Sequence, residues 1–198
     1  MPADAPHSGV LHPHDARPRW RRIADAAAGP ALIVICVIVL LFLGGFRGES
    51  RLVASVDIAK PPSTVFTWVS RPEKLKSWVG WLVDIRDLTP GQTGVGSRQI
   101  WVMEDRNNNN QLMDIATEIT RHDADRVLEA KVSAAQGFTG DVRYELEPMD
   151  TSQTKLTYRA HYKFDHWLAK LLEPIISRSA QQKLEEDLRR LKQQVEAS

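Results

Sequence analysis

Few side chains in this sequence could do chemistry, and most of them resolve into something simpler. Asp165 stands between His161 and His166, close enough in sequence for two imidazoles and a carboxylate to share acid–base work. Strand alternation assigns His161 to the solvent side, however, and Asp165 stands where a helix needs an N-cap. Asp105, Asn107 and Asn109 imitate the opening of a calcium loop. The sixth position is Asn110 instead of glycine and the twelfth is Ala116 instead of glutamate, so DRNNNN reads as a hairpin turn. Gly91, Gly94 and Gly96 lack the dinucleotide spacing and open no helix, which makes them turn glycines. His7, His12 and His14 lie in a polar stretch that holds them in no fixed geometry. The one cysteine, Cys36, lies inside an apolar run, so neither a disulfide framework nor a cysteine zinc site can be built. No catalytic constellation, cofactor motif or metal site is expected. Tyr144, Tyr158 and Tyr162, the only three tyrosines, remain as polar groups able to orient a ligand carbonyl or hydroxyl from inside a protein.

The elements that position those tyrosines are legible from periodicity. In FTGDVRYEL, Phe138, Val142, Tyr144 and Leu146 share one strand face. In KLTYRAHYKF, Leu156, Tyr158, Ala160, Tyr162 and Phe164 do the same. QLMDIATEIT sorts Met113, Ile115, Thr117 and Ile119 against Asp114, Ala116, Glu118 and Thr120. One face of an antiparallel sheet is therefore apolar and the other charged. Four further strands read as LVASVDI (52–58), LVDIRDL, RQIWVME and RVLEAKVS, with TPGQTGVGS, DRNNNN, RHDAD and PMDTSQ as turns. The segment AAQGF, residues 134–138, falls where it can form part of a pocket mouth.

Between the first two strands the period changes to that of helices. Pro61 and Pro62 suit a helix start, with Val65, Phe66 and Val69 on one face. Ser70 and Glu73 stand at capping-box spacing around Pro72, which predicts a second short helix ending near Trp78. At the C-terminus, Asp165 is expected to cap a helix starting at His166, and Pro174 to kink or restart it. Leu168, Leu172, Ile175, Ile176, Ala180, Leu184, Leu188, Leu191 and Val195 recur at steps of three and four. On the opposite side Glu185 and Arg189, and Glu186 and Arg190, are spaced for ion pairs. This amphipathic helix suits the apolar face of the sheet, with a coiled-coil dimer as the competing reading.

The N-terminal quarter has a different character. Residues 1–25 are rich in proline, alanine and charge and read as a disordered tail. Residues 26–46 follow, twenty-one mostly small or apolar residues with no polar side chain from Ala31 to Leu43. As a helix they reach roughly 31 Å, about the thickness of a bilayer's hydrocarbon core. They are expected to be a transmembrane anchor, joined by a linker (47–51) to a domain spanning 52–198. Arg17, Arg19, Arg21 and Arg22 precede the span, while Arg47, Arg51 and Lys60 follow it. This bias favours a single-pass topology with the N-terminus in the cytoplasm and the domain outside it; the opposite orientation and a cleaved signal peptide are the alternatives. A formal net charge of +1 gives no electrostatic case for nucleic acid.

A strand, two short helices, six antiparallel strands and a long C-terminal helix is the order of the helix-grip fold, of class α+β. The chain resembles the SRPBCC (START-like) superfamily, particularly its polyketide cyclase/dehydrase and lipid-transport branch. The resemblance rests on VDIAKPPSTVFTWVSRPEKLKSW, with Pro61, Val65, Phe66 and Trp78, on FTGDVRYELEPMDTSQTKLTYRAHYKF, and on the closing helix. It implies an elongated cavity between a curved seven-stranded sheet and the long helix, holding apolar or amphipathic molecules such as lipids, quinones or polyketides. Met113, Ile115, Thr117, Phe138, Val142, Tyr144, Tyr158, Tyr162, Leu172 and Ile176 are then expected to line it. The implied function is a membrane-anchored binding or transport protein for a hydrophobic small molecule. Two alternatives stay open: a cyclase or dehydratase, and a module that binds a membrane-protein partner.

Overall fold

Leu52, Ala54, Val56 and Ile58 alternate with the exposed Val53, Ser55 and Asp57, and in the computed structural model this stretch is the strand β1 (Glu49–Ile58). The structure describes residues 48–105, 109–135, 137–165 and 167–198. The strand starts three residues before the expected Leu52, because its first residues find partners: Glu49 opposite Lys163, Ser50 opposite Tyr162 and Arg51 opposite His161. Two short helices follow, α1 (Pro62–Ser70) and α2 (Pro72–Trp78). Both open on proline, whose fixed φ and missing N–H suit a first helical turn. The capping box does not form. Arg71 is the N-cap of α2, while the Ser70 hydroxyl, still in the last turn of α1, donates back to the Phe66 carbonyl (2.7 Å).

The strands β2 (Leu82–Asp87), β3 (Arg98–Asp105), β4 (Gln111–Asp123), β5 (Val127–Ala134), β6 (Phe138–Pro148) and β7 (Thr154–Phe164) complete one antiparallel sheet. Its order is β1-β7-β6-β5-β4-β3-β2. The expected turn at 121–125 is shorter than read. Arg121, His122 and Asp123 stay paired with β5 after a register shift between Ile119 and Arg121, and Asp125 alone there takes a left-handed backbone (φ 62°). Asn109 and Asn110, also left-handed, turn the β3–β4 hairpin.

The long helix α3 (Trp167–Glu196) runs as one element through Pro174. The proline removes one hydrogen-bond donor, and the turns on either side carry the helix past it. Leu188, Leu191 and Val195 are buried against the sheet, as are Val65, Val69, Leu75 and Trp78 from α1 and α2. Arg190 does not pair with Glu186. Its guanidinium donates to the Trp78 carbonyl (3.0 Å) and to Asp187 (3.3 Å). Arg189 donates to the backbone carbonyl of Glu185 (3.2 Å).

The two faces of the sheet divide as the alternation requires. On the outer one, Glu129 lies between Arg121 and Arg143, and Glu145 between Arg143 and Arg159, a chain of alternating charge across β4 to β7. Among the described residues no helix is long and apolar enough to cross a membrane. The tail (1–25) and the anchor expected over 26–46 lie outside the described residues.

Candidate ligand-binding cavity

Between the inner face of the sheet and α3 lies a cavity of about 540 Å³, within the range of small-molecule sites. The sheet supplies the floor: Trp101 and Met103 from β3, Ile115, Thr117 and Ile119 from β4, Leu128, Ala130 and Val132 from β5. Phe138, Val142 and Tyr144 continue it on β6, and Tyr158, Tyr162 and Phe164 on β7. Val69, Leu75, Trp78 and Trp81 close one side, and Ile176, Ala180, Lys183, Leu184 and Asp187 form the roof.

Of the ten residues anticipated here, eight line the cavity: Ile115, Thr117, Phe138, Val142, Tyr144, Tyr158, Tyr162 and Ile176. Met113 and Leu172 do not. Met113 has the right parity but sits near the β3–β4 hairpin opposite Met103, and Met103 is the one that reaches the cavity. Leu172 is 47% exposed. Ser177 stands level with Ser50, their hydroxyls 2.6 Å apart, and Leu172 lies about 7.5 Å further along the helix at 1.5 Å per residue, past the edge of the sheet.

The three phenols act as a group. The Tyr158 and Tyr162 hydroxyls are 3.1 Å apart, and the Tyr144 and Tyr158 rings meet edge to face at 5.0 Å. Burial pushes all three above the ordinary tyrosine value, so each is a neutral hydroxyl at physiological pH. Gly140 makes room for this arrangement. A Cβ there would lie 2.6 Å from the Tyr162 ring and 2.6 Å from the His161 carbonyl.

Two charged groups escaped the sequence reading, Asp187 and Lys183. Asp187 lies on the buried stripe three residues after Leu184, and this was its signal. It is 8% exposed, and its carboxylate accepts from the Gly80 N–H (3.1 Å), from Arg190 (3.3 Å) and from Lys183. Lys183 in turn stands over the Trp81 ring (5.8 Å). The charges that reach the cavity are thus matched to each other. Gln99 and Trp101 were also missed, because RQIWVME carries apolar residues at both parities and its period assigns neither face. Trp101 Nε1 donates to Gln99 Oε1 (3.2 Å).

His161, as expected, is on the outer face, with Nε2 3.1 Å from Glu49 Oε2; this bond holds the Glu49 carboxyl below the usual range. A second depression of about 520 Å³ lies on that face among Arg98, Glu118, Lys131, Asp141, His161 and Lys163. Its lining carries charges of both signs, whereas the inner cavity is walled mainly by apolar and aromatic side chains, and the inner cavity is the candidate site.

Solved structures with the same fold come from several bacteria. A START superfamily protein from Mycobacterium smegmatis superposes with a TM-score of 0.62 at 15% identity, over 74% of this chain and 97% of that one. The Zhui aromatase/cyclase from Streptomyces sp. R1128 gives 0.61 at 14% identity, over 75% and 94%. A conserved protein from Geobacillus kaustophilus gives 0.63 at 12% identity, over 75% and 96%. At such identities the likeness speaks for the fold. No curated protein matches the sequence. The profile of the family described as polyketide cyclase / dehydrase and lipid transport matches residues 50–196, from the second residue of β1 to the end of α3. The chain belongs to that family.

Proposed function

We propose that this chain is a membrane-anchored binding or carrier protein for a neutral hydrophobic small molecule, held between the sheet and α3. The observation that carries this reading is the chemistry of the cavity wall. About 540 Å³ is bounded by aliphatic and aromatic side chains, the phenols are neutral, and Lys183 is tied to Asp187. Apolar burial supplies the affinity, at roughly 25 cal/mol per Å² removed from water. Among the described residues that line it, the charged side chains are Lys183 and Asp187, paired with each other. Family membership supports binding of this kind. The apolar run at 26–46 is the anchor in this proposal, and the charge bias around it puts the domain outside the cytoplasm.

The test is native mass spectrometry of the full chain released from membranes, with any retained small molecule extracted and identified. A co-purifying lipid, quinone or polyketide supports the proposal. A ligand-free mass that stays unchanged after incubation with a membrane lipid extract refutes it. Protease accessibility of residues 48–198 in sealed vesicles of each orientation checks the topology.

A second reading, a cyclase or dehydratase, is favoured by one observation: the paired Tyr158 and Tyr162 hydroxyls inside the cavity in a fold shared with an aromatase/cyclase. Under it, Tyr144→Phe and Tyr158→Phe abolish turnover of a poly-β-keto substrate and spare its binding. Under the carrier reading there is no turnover to lose.

A further inference from the structure

The register of the sheet places four of the cavity's polar groups, Gln99, Thr117, Tyr162 and Ser50, in a single row. Gln99 pairs with Thr117, Thr117 with Val132, Val132 with Gly140, Gly140 with Tyr162, and Tyr162 with Ser50. The rungs on either side are apolar: Trp101, Ile115 and Phe138 on one, Ile119, Ala130, Val142 and Ala160 on the other. Tyr158 stands two rungs away, yet its hydroxyl joins the row because only the methyl of Ala160 lies between it and Tyr162.

Within this row Thr117 stands out. Its hydroxyl oxygen is buried, and among the described residues it is the buried side-chain oxygen without a hydrogen-bond partner. Leaving such a group unpaired is costly, and isosteric valine would fill the same space without that cost. Its neighbour Gln99 has its carboxamide oxygen taken by Trp101, which leaves the NH₂ as the free end. In the tyrosine pair one proton is spent between the two hydroxyls and the other is left over. The Gln99 NH₂ can only donate, and the Thr117 hydroxyl and the tyrosine pair each keep a proton to give, so the row can offer several neutral donors to one acceptor.

We propose that this row receives a neutral oxygen acceptor, a ketone or a comparable carbonyl, carried by an otherwise apolar ligand, with the Thr117 hydroxyl as the donor that selects it. The idea rests on the cavity being a ligand site and adds what the ligand must carry. It disfavours pure hydrocarbons, which leave the Thr117 hydroxyl unpaired. It disfavours carboxylates too, since the cations nearby are already matched.

The experiment compares tetralone with tetralin, the same two-ring skeleton with and without a carbonyl, by isothermal titration calorimetry of the full chain in nonionic detergent against detergent blanks. Tetralone is expected to bind more tightly. Thr117→Val should lower tetralone affinity about three- to ten-fold, leave tetralin unchanged and raise the urea midpoint of the free protein. Thr117→Ser should restore tetralone binding, and Tyr162→Phe should weaken it through the other end of the row. Equal affinity for both probes, or a Thr117→Val variant that binds tetralone normally, overturns the proposal while the cavity remains a ligand site. If neither probe binds, the reading of the cavity as a ligand site falls, and this proposal with it.

Discussion

The two halves of α3 carry apolar residues at the same spacing and do different things. Leu188, Leu191 and Val195 are 2%, 0% and 0% exposed, whereas Ile175 and Ile176 are 70% and 37% exposed. The C-terminal half is also bolted by polar contacts at its end: Glu196 accepts from the Ala59 N–H (2.8 Å), Lys192 donates to the Asp57 carbonyl (2.6 Å) and Lys60 to the Ser198 carbonyl (2.7 Å). The N-terminal half is held by lighter ties, such as Ser177 to Ser50 (2.6 Å) and Gln181 to the Val53 carbonyl (2.9 Å). Asp187 marks the boundary. One half clamps the sheet and the other roofs a space, and the apolar period is blind to which is which.

The division of labour is broken most severely at the clamp. Leu191→Ala should cost about 2–5 kcal/mol in urea unfolding, because a fully buried leucine leaves a cavity the surroundings fill only in part. A cost under about 1 kcal/mol would show that this half does not clamp. Asp187→Ala comes next, at about 3 kcal/mol, since it strands the Lys183 ammonium and the Gly80 N–H and leaves Arg190 only the Trp78 carbonyl. Asp187→Asn, which keeps an acceptor for Gly80, should cost less, and denaturant titration of the pair reads the difference.

Alkaline titration examines the floor beneath the roof. All three phenols have folded-state values raised above 10.0. Each stays protonated in the folded chain while the unfolded chain loses its protons, so stability holds up to about pH 10 and falls beyond it. Linkage sets the slope at about 1.4 kcal/mol per pH unit for each phenol. Tyrosinate absorbance should then appear together with unfolding; its appearance in the folded protein near pH 10 would show the phenols to be wet. The smallest effect on stability sharpens the contrast most. Ile175→Ser should change it by less than about 0.5 kcal/mol yet speed the release of bound tetralone, measured by stopped flow. Unchanged release would mean that this part of the helix does not guard the cavity.

Sequence alone reached the order of elements and much of the cavity wall, and the reasons are local. β6 and β7 alternate cleanly, so their inner residues, Tyr144, Tyr158 and Tyr162 among them, followed from period two. β3 is apolar at both parities, and nothing local separates Trp101 from Val102. Leu172 continues the helical stripe correctly, but its exposure depends on where the sheet beneath it stops. The polar row is less legible still. It depends on the register of six strands, including the shift between Ile119 and Arg121, and no window of residues contains that information.

Gly140 gives the cavity a history as well as a shape. Its lack of a side chain is required twice, by the Tyr162 ring and by the His161 carbonyl on the neighbouring strand. Replacing the ring lifts only one of these demands, so change at the two positions is coupled in one direction. A lineage can exchange Tyr162, and with it the hydroxyl presented to the cavity, while the glycine stays pinned by the backbone beside it. Change in the cavity's lining is then open along β7 and closed along β6, and relatives whose cavities differ should differ at 162 well before they differ at 140.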